Sequence, residues 1–213
     1  MKANELGQAC ASGAIETVKQ LMAAGVDIDT RDRYEATALI EASYCGRAHI
    51  VKLLLSAGAS VDLTDKEGRT ALFGACVNGN IDVVELLTEA GSNVNAQDNC
   101  GLSPLMEAAF WGHGDLVDFL IQQGADVHAY DLLGKTALFW ASLEGNAEIV
   151  QLLMDHGAHP TLEDQNGNTP LSWAMFHGHD SVVSIMSLYA SRPQHGPGSG
   201  RRTNNPPLMT AIR

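Results

Sequence analysis

The chain has 213 residues, 45% of them apolar, and a formal net charge of −12 from 13 basic and 25 acidic residues. Phosphate backbones are bound by basic surfaces, so nucleic acid is a poor partner for it. No run of about 18 apolar residues is present to cross a bilayer, and the opening MKANELGQACASGAIE lacks the apolar stretch of a secretory signal. The chain therefore reads as soluble and intracellular, cytoplasmic with the nucleus as the alternative. Four cysteines, Cys10, Cys45, Cys76 and Cys100, form no C-x-x-C pair, so reduced thiols are expected rather than a zinc knuckle or a disulfide framework.

From the N-terminus, Asn4-Glu5-Leu6 is a degenerate first copy of a triplet that returns every 33 residues: Thr37-Ala38-Leu39, Thr70-Ala71-Leu72, Ser103-Pro104-Leu105, Thr136-Ala137-Leu138 and Thr169-Pro170-Leu171. Thr, Ser or Asn at the first place is an N-cap, and Pro at the second suits the first helical turn. In the same register Gly13, Gly46, Gly79, Gly112, Gly145 and Gly178 separate two helical stretches, and Gly25, Gly58, Gly91, Gly124 and Gly157 end the second. That second stretch places apolar residues at i, i+1, i+3 and i+4, as in Val83-Val84 with Leu86-Leu87, which makes one apolar face. Asp65 to Gly68, Asp98 to Gly101, Asp131 to Gly134 and Asp164 to Gly167 are tight turns between units. Glu35 stands where the second unit's turn glycine belongs, so distortion is expected there.

The division that follows is 1–30, 31–63, 64–96, 97–129, 130–162 and 163–190 for six units, the first and last acting as caps. Residues 191–213, rich in Pro, Gly, Asn and Arg, read as a flexible tail. The Arg201-Arg202 pair in it reads as part of a solvated linker, with a targeting or docking signal as the alternative.

This pattern resembles the ankyrin repeat family, whose T-P-L-H-x-A motif sits on a repeat of this length. The resemblance covers Met1 to Ala190 and implies an all-α ankyrin-repeat solenoid of six helix-turn-helix repeats of 33 residues joined by β-turn fingers. The motif's histidine is replaced by Ile40, Phe73, Met106, Phe139 and Ser172, so apolar contact must substitute for its polar link between units. Function is implied as well: such proteins bind other proteins without catalysis, usually in the concave groove lined by the outer face of the first helices and the turn tips.

Stepping 100° per residue around each first helix gives that outer row: Glu41, Tyr44 and Cys45; Gly74, Val77 and Asn78; Glu107, Phe110 and Trp111; Trp140, Leu143 and Glu144; Trp173, Phe176 and His177. All three tryptophans fall in it, with Tyr130, Leu132 and Leu133 beside them in a turn segment. Apolar residues gathered on a solvent face point to a contact surface, with Trp111, Trp140, Trp173, Phe110 and Phe176 as expected hot spots. The competing reading is packing between neighbouring first helices, to which Phe73 and Phe139 belong. As outward rings, Trp140 and Trp173 should tolerate replacement by alanine without unfolding.

Charge bears on the ligand. Residues 97–189 hold twelve acidic residues and one basic, Lys135, while residues 1–96 hold thirteen acidic and eight basic. Rings in an acidic field fit a partner protein or peptide, apolar and basic, with the chain itself monomeric. A methyl-lysine or basic-peptide reader is the sharper alternative. The ankyrin domains of some histone lysine methyltransferases place tryptophans where Trp140 and Trp173 stand, but their third Trp and Glu positions are Lys135 and Leu143 here, with Glu144 adjacent. A substrate-recruiting part of a larger enzyme is a further alternative. For catalysis by the chain itself, no G-x-x-x-x-G-K, H-E-x-x-H or G-x-S-x-G occurs. No cofactor or metal is implied, since His128, His156 and His159 lack ligand spacing, and His113 and His179 take a place that is structural in the family. Asn95, after Leu87 and Val94, resembles the family's asparaginyl hydroxylation site, yet Asn is favoured in such a turn anyway.

Overall fold

The computed structural model describes residues 2–190; the tail read over 191–213 lies outside the described residues. Twelve helices follow one another in six antiparallel pairs: α1 (Lys2–Ser12) with α2 (Ile15–Ala23), α3 (Ala38–Tyr44) with α4 (Ala48–Ser56), α5 (Ala71–Val77) with α6 (Ile81–Glu89), α7 (Pro104–Phe110) with α8 (Gly114–Gln122), α9 (Ala137–Glu144) with α10 (Ala147–Asp155), and α11 (Pro170–His177) with α12 (Asp180–Ala190). Each pair packs on the next. The odd-numbered helices lie much closer to one another than the even-numbered ones do, which curves the stack and makes the odd-helix side its concave face.

The triplets do the work expected of them, with two exceptions. Thr37, Thr70 and Ser103 accept hydrogen bonds from the amides of Ile40, Phe73 and Met106 at 3.3 Å, and Thr169 and Ser172 form a reciprocal capping box. Thr136 makes no such bond. Asn4 is no cap, because α1 begins at Lys2 and places it within the helix.

Each finger is held by its aspartate. Asp98 Oδ1 accepts from the amides of Cys100 (2.8 Å) and Leu102 (2.9 Å), and Asp32, Asp65, Asp131 and Asp164 repeat the arrangement. Fingers are tied by single backbone bonds: Lys66 to Tyr34, Asn99 to Glu67, Leu132 to Cys100 and Gln165 to Leu133, all with N···O of 2.9 Å. The finger expected to be distorted is not. Glu35 adopts φ 61°, close to the 77–80° of Gly68, Gly101, Gly134 and Gly167, and its amide closes the same turn onto the Asp32 carbonyl.

Apolar contact does replace the missing histidine link: Ile40, Phe73, Met106 and Phe139 are all buried, while Ser172 in the last pair is exposed. Polar links between pairs come instead from a position just after the inter-helix glycine. Arg47, Asn80, His113, Asn146 and His179 each donate to a carbonyl of the preceding pair, those of Ala11, Ser43, Val77, Ala109 and Leu143, at 2.9–3.3 Å. Among the described residues no helix is long and apolar enough to cross a membrane.

Candidate functional site

Five positions 33 apart run along the concave side as Glu41, Gly74, Glu107, Trp140 and Trp173. Towards the N-terminus the row carries carboxylates with a gap at Gly74, and towards the C-terminus it carries rings. Finger positions add a second periodicity: Arg69 lies 5.6 Å from the Phe73 ring and, two pairs on, Lys135 lies 5.1 Å from the Phe139 ring.

The rings form two linked groups. Phe110 meets Trp111 edge-on at 5.1 Å and Trp140 at 5.7 Å. Trp173 packs against Phe139 at 5.8 Å, meets Phe176 at 6.2 Å and stacks on His177 at 5.3 Å. Between them sits Lys135, its ammonium 4.8 Å from the Trp140 ring and 5.0 Å from that of Trp173. The cation that rings in an acidic field attract is thus supplied by the chain itself.

Trp140 and Trp173 do not face fully outward. Both are half-buried, and their indole N–H groups are buried without a hydrogen-bond partner. The reason is size: an indole leaving the outer side of one helix reaches the neighbouring pair and packs there. Alanine at either position should therefore cost stability, contrary to what helix geometry alone implies. Trp111 is the tryptophan presented to solvent, 54% exposed, and Phe176 is 83% exposed.

A cavity of about 340 Å³ opens beside Trp111 and joins Tyr44, Val77, Glu107, Phe110 and Trp140 of the predicted row with three residues outside it: Arg69, Leu102 and Met106. Phe73, assigned to inter-helix packing, also lines it. A second cavity shares Tyr44, Arg69, Phe73 and Val77 and adds Tyr34, Glu41, Asp65, Glu67 and Gly74. The signal that could have revealed this place is Gly74 itself, the one position of the row without a side chain. Trp173 and Phe176 line a separate depression with Asn168 and Ser172. Leu143, Glu144, His177, Tyr130, Leu132 and Leu133 line none of these three; Tyr130, Leu132 and Leu133 are exposed on their finger.

Glu107 is the polar centre of the main cavity. Its Oε2 accepts from Trp111 Nε1 at 3.0 Å. Burial raises its carboxyl pKa above the ordinary value; the Trp111 hydrogen bond and Arg69 work against this, and Asp98 adds to it. Glu41 is raised as well, by burial first and then by Asp32. Among the described residues neither carboxylate has an ion-pair partner; Arg69, which lines both cavities, pairs with Asp98 at 3.9 Å.

Other candidates make contacts within the stack. Asn95 accepts from the Asp126 amide (2.8 Å) and donates to the Gly124 carbonyl (3.0 Å); Asp62 and Asp29, one and two periods earlier, accept the corresponding amide of the next pair. His128 and His159 stack at 6.1 Å while His156 turns to the Leu152 carbonyl. Among the described residues no group of three or more His, Cys, Asp or Glu is placed to hold a metal. Cys10 and Cys76 are buried, and burial pushes the Cys10 thiol up to about 12.

A family model described as ankyrin repeats (3 copies) matches residues 6–98, 67–131 and 105–194, and no curated protein matches the chain. Repeats of this kind are in general protein–protein interaction modules and typically non-catalytic. Since those matches span the whole stack of helix pairs whose caps, fingers and concave side are described above, the chain belongs to the ankyrin repeat family.

Proposed function

We propose that this protein is a non-catalytic scaffold or adaptor that holds an apolar and basic segment of another protein against its concave side. The observation that carries this reading is the half-exposed Trp111, pinned by Glu107 and backed by Phe110, at the mouth of an apolar cavity. A rigid ring beside a partly desolvated carboxylate has the character of a binding hot spot. Phe176 and the Trp173 depression extend the contact towards the C-terminal pair. In this reading the chain works as a monomer in the cytoplasm or nucleus, where its four free thiols stay reduced.

The methyl-lysine alternative loses its main motive, because Lys135 already holds the place among Phe139, Trp140 and Trp173 that a ligand cation would take. Recruitment of a substrate for a larger enzyme uses the same contact chemistry and the same face.

The test is capture from cell lysate by the wild-type chain beside Trp111→Ala and Phe176→Ala, the two most exposed rings of the row, after circular dichroism shows equal helicity and melting. Partners retained by wild type and lost by either variant are expected. Identical captures by all three would move recognition off this side.

A further inference from the structure

Two places on the concave side are chemically suited to a cation. At the C-terminal place, Lys135 already lies 4.8–5.1 Å from three ring centroids. At the other, two cavities that share Tyr44, Arg69, Phe73 and Val77 are lined by Glu107 in the main one and by Glu41, Asp65, Glu67 and Gly74 in the second, against the single cation Arg69, which is drawn to Asp98. Room exists because Gly74 supplies no side chain where the equivalent positions carry Glu, Glu, Trp and Trp. A methyl group there would meet the Tyr44 side chain and Cα first, at an ordinary 3.5–3.6 Å. The walls are Tyr44, Phe73, Phe110, Trp111 and Trp140, flat groups that suit a planar cation.

Resting on the binding-module reading above, we propose that the main cavity beside Trp111, adjoining the space left by Gly74, receives an arginine side chain of the partner segment, its guanidinium paired with the Glu107 carboxylate and laid against the surrounding rings. Arginine fits better than lysine because its plane stacks on aromatic faces while its edge donates to a carboxylate. Glu107 Oε2 is already engaged by Trp111, which fixes the carboxylate's orientation and leaves Oε1 for the incoming donor. The partner's apolar residues then cover Val77, Leu102 and Met106 on the same floor.

A proton linkage follows. The guanidinium pairs with the ionised form, so binding strengthens as pH rises through the titration of Glu107 and weakens as pH falls through it. Burial raises that titration, and the groups facing it are Arg69, Asp98, Trp111 and the buried Cys76 thiol.

The experiment uses the full chain and a phage-displayed library of random linear twelve-residue peptides. The most enriched sequence whose binding Trp111→Ala abolishes is synthesised with arginine and with citrulline, its neutral isostere, at the shared position. Expected are an arginine flanked by apolar residues, a loss of about tenfold or more on citrulline replacement with the wild-type chain, and a loss below about twofold with Glu107→Gln, which keeps shape and removes charge. Trp111-dependent peptides without a basic residue, or an equal citrulline effect in wild type and Glu107→Gln, would overturn the arginine seat and leave the binding face standing. A library yielding no peptide that depends on Trp111 would overturn both.

Discussion

Glu35 shows how far a single residue can be held against its preference. In the other fingers glycine occupies the left-handed place, and Glu35 adopts it with a side chain, at φ 61°, a conformation that costs non-glycine residues roughly 1 kcal/mol or more. The fold imposes it because the aspartate at the turn's start and the finger-to-finger bond fix the backbone on both sides. Glu35→Gly is expected to raise stability by about 1 kcal/mol in urea denaturation, even though it gives up an exposed ion pair with Arg31 at 3.5 Å. Trp140→Ala should do the opposite. Its ring is half-buried between Phe110 and Lys135, so a loss of about 2 kcal/mol is expected in the same measurement. Sequence periodicity located the finger and the ring without error and misjudged both their strain and their burial. Turn shape at Glu35 is set by neighbouring fingers, and burial of Trp140 by neighbouring pairs, neither of which a single helix reveals.

Among the elements, α11 with α12 is an end pair of the described stack with large apolar side chains uncovered, Met175 and Phe176 being exposed. Its attachment depends on the His179 bond to the Leu143 carbonyl, the Tyr189 hydroxyl bonded to Asp155, and Lys135 reaching across to Trp173. Lys135→Met keeps the length of the side chain and removes the charge. We expect amide hydrogen exchange in α11 and α12 to quicken several-fold, corresponding to roughly 0.5–2 kcal/mol of lost cation–ring attraction, with α3 to α6 unchanged. The helices themselves were legible because caps, glycines and apolar spacing agree within each unit. The cavity over Gly74 was not, since a missing side chain becomes a space only when the helices on either side, with Tyr34 and Tyr44, are in place.

For the whole molecule, stacking makes stability nearly a sum of pair and interface contributions, so α1 with α2 and α11 with α12 should exchange amide hydrogens before the central pairs do. Uniform exchange along the chain would mean a single cooperative unit instead. All three tryptophans also stand on one side of this stack, on α9, on α11 and at the end of α7. The ultraviolet emission of the protein accordingly originates almost wholly from its concave side. Trp111 looks into water, whereas Trp140 and Trp173 share an ammonium, and Trp173 lies flat on His177. The fold therefore carries a built-in optical probe: a change in emission wavelength or in iodide quenching would report events at this one surface and stay silent to events on the convex back.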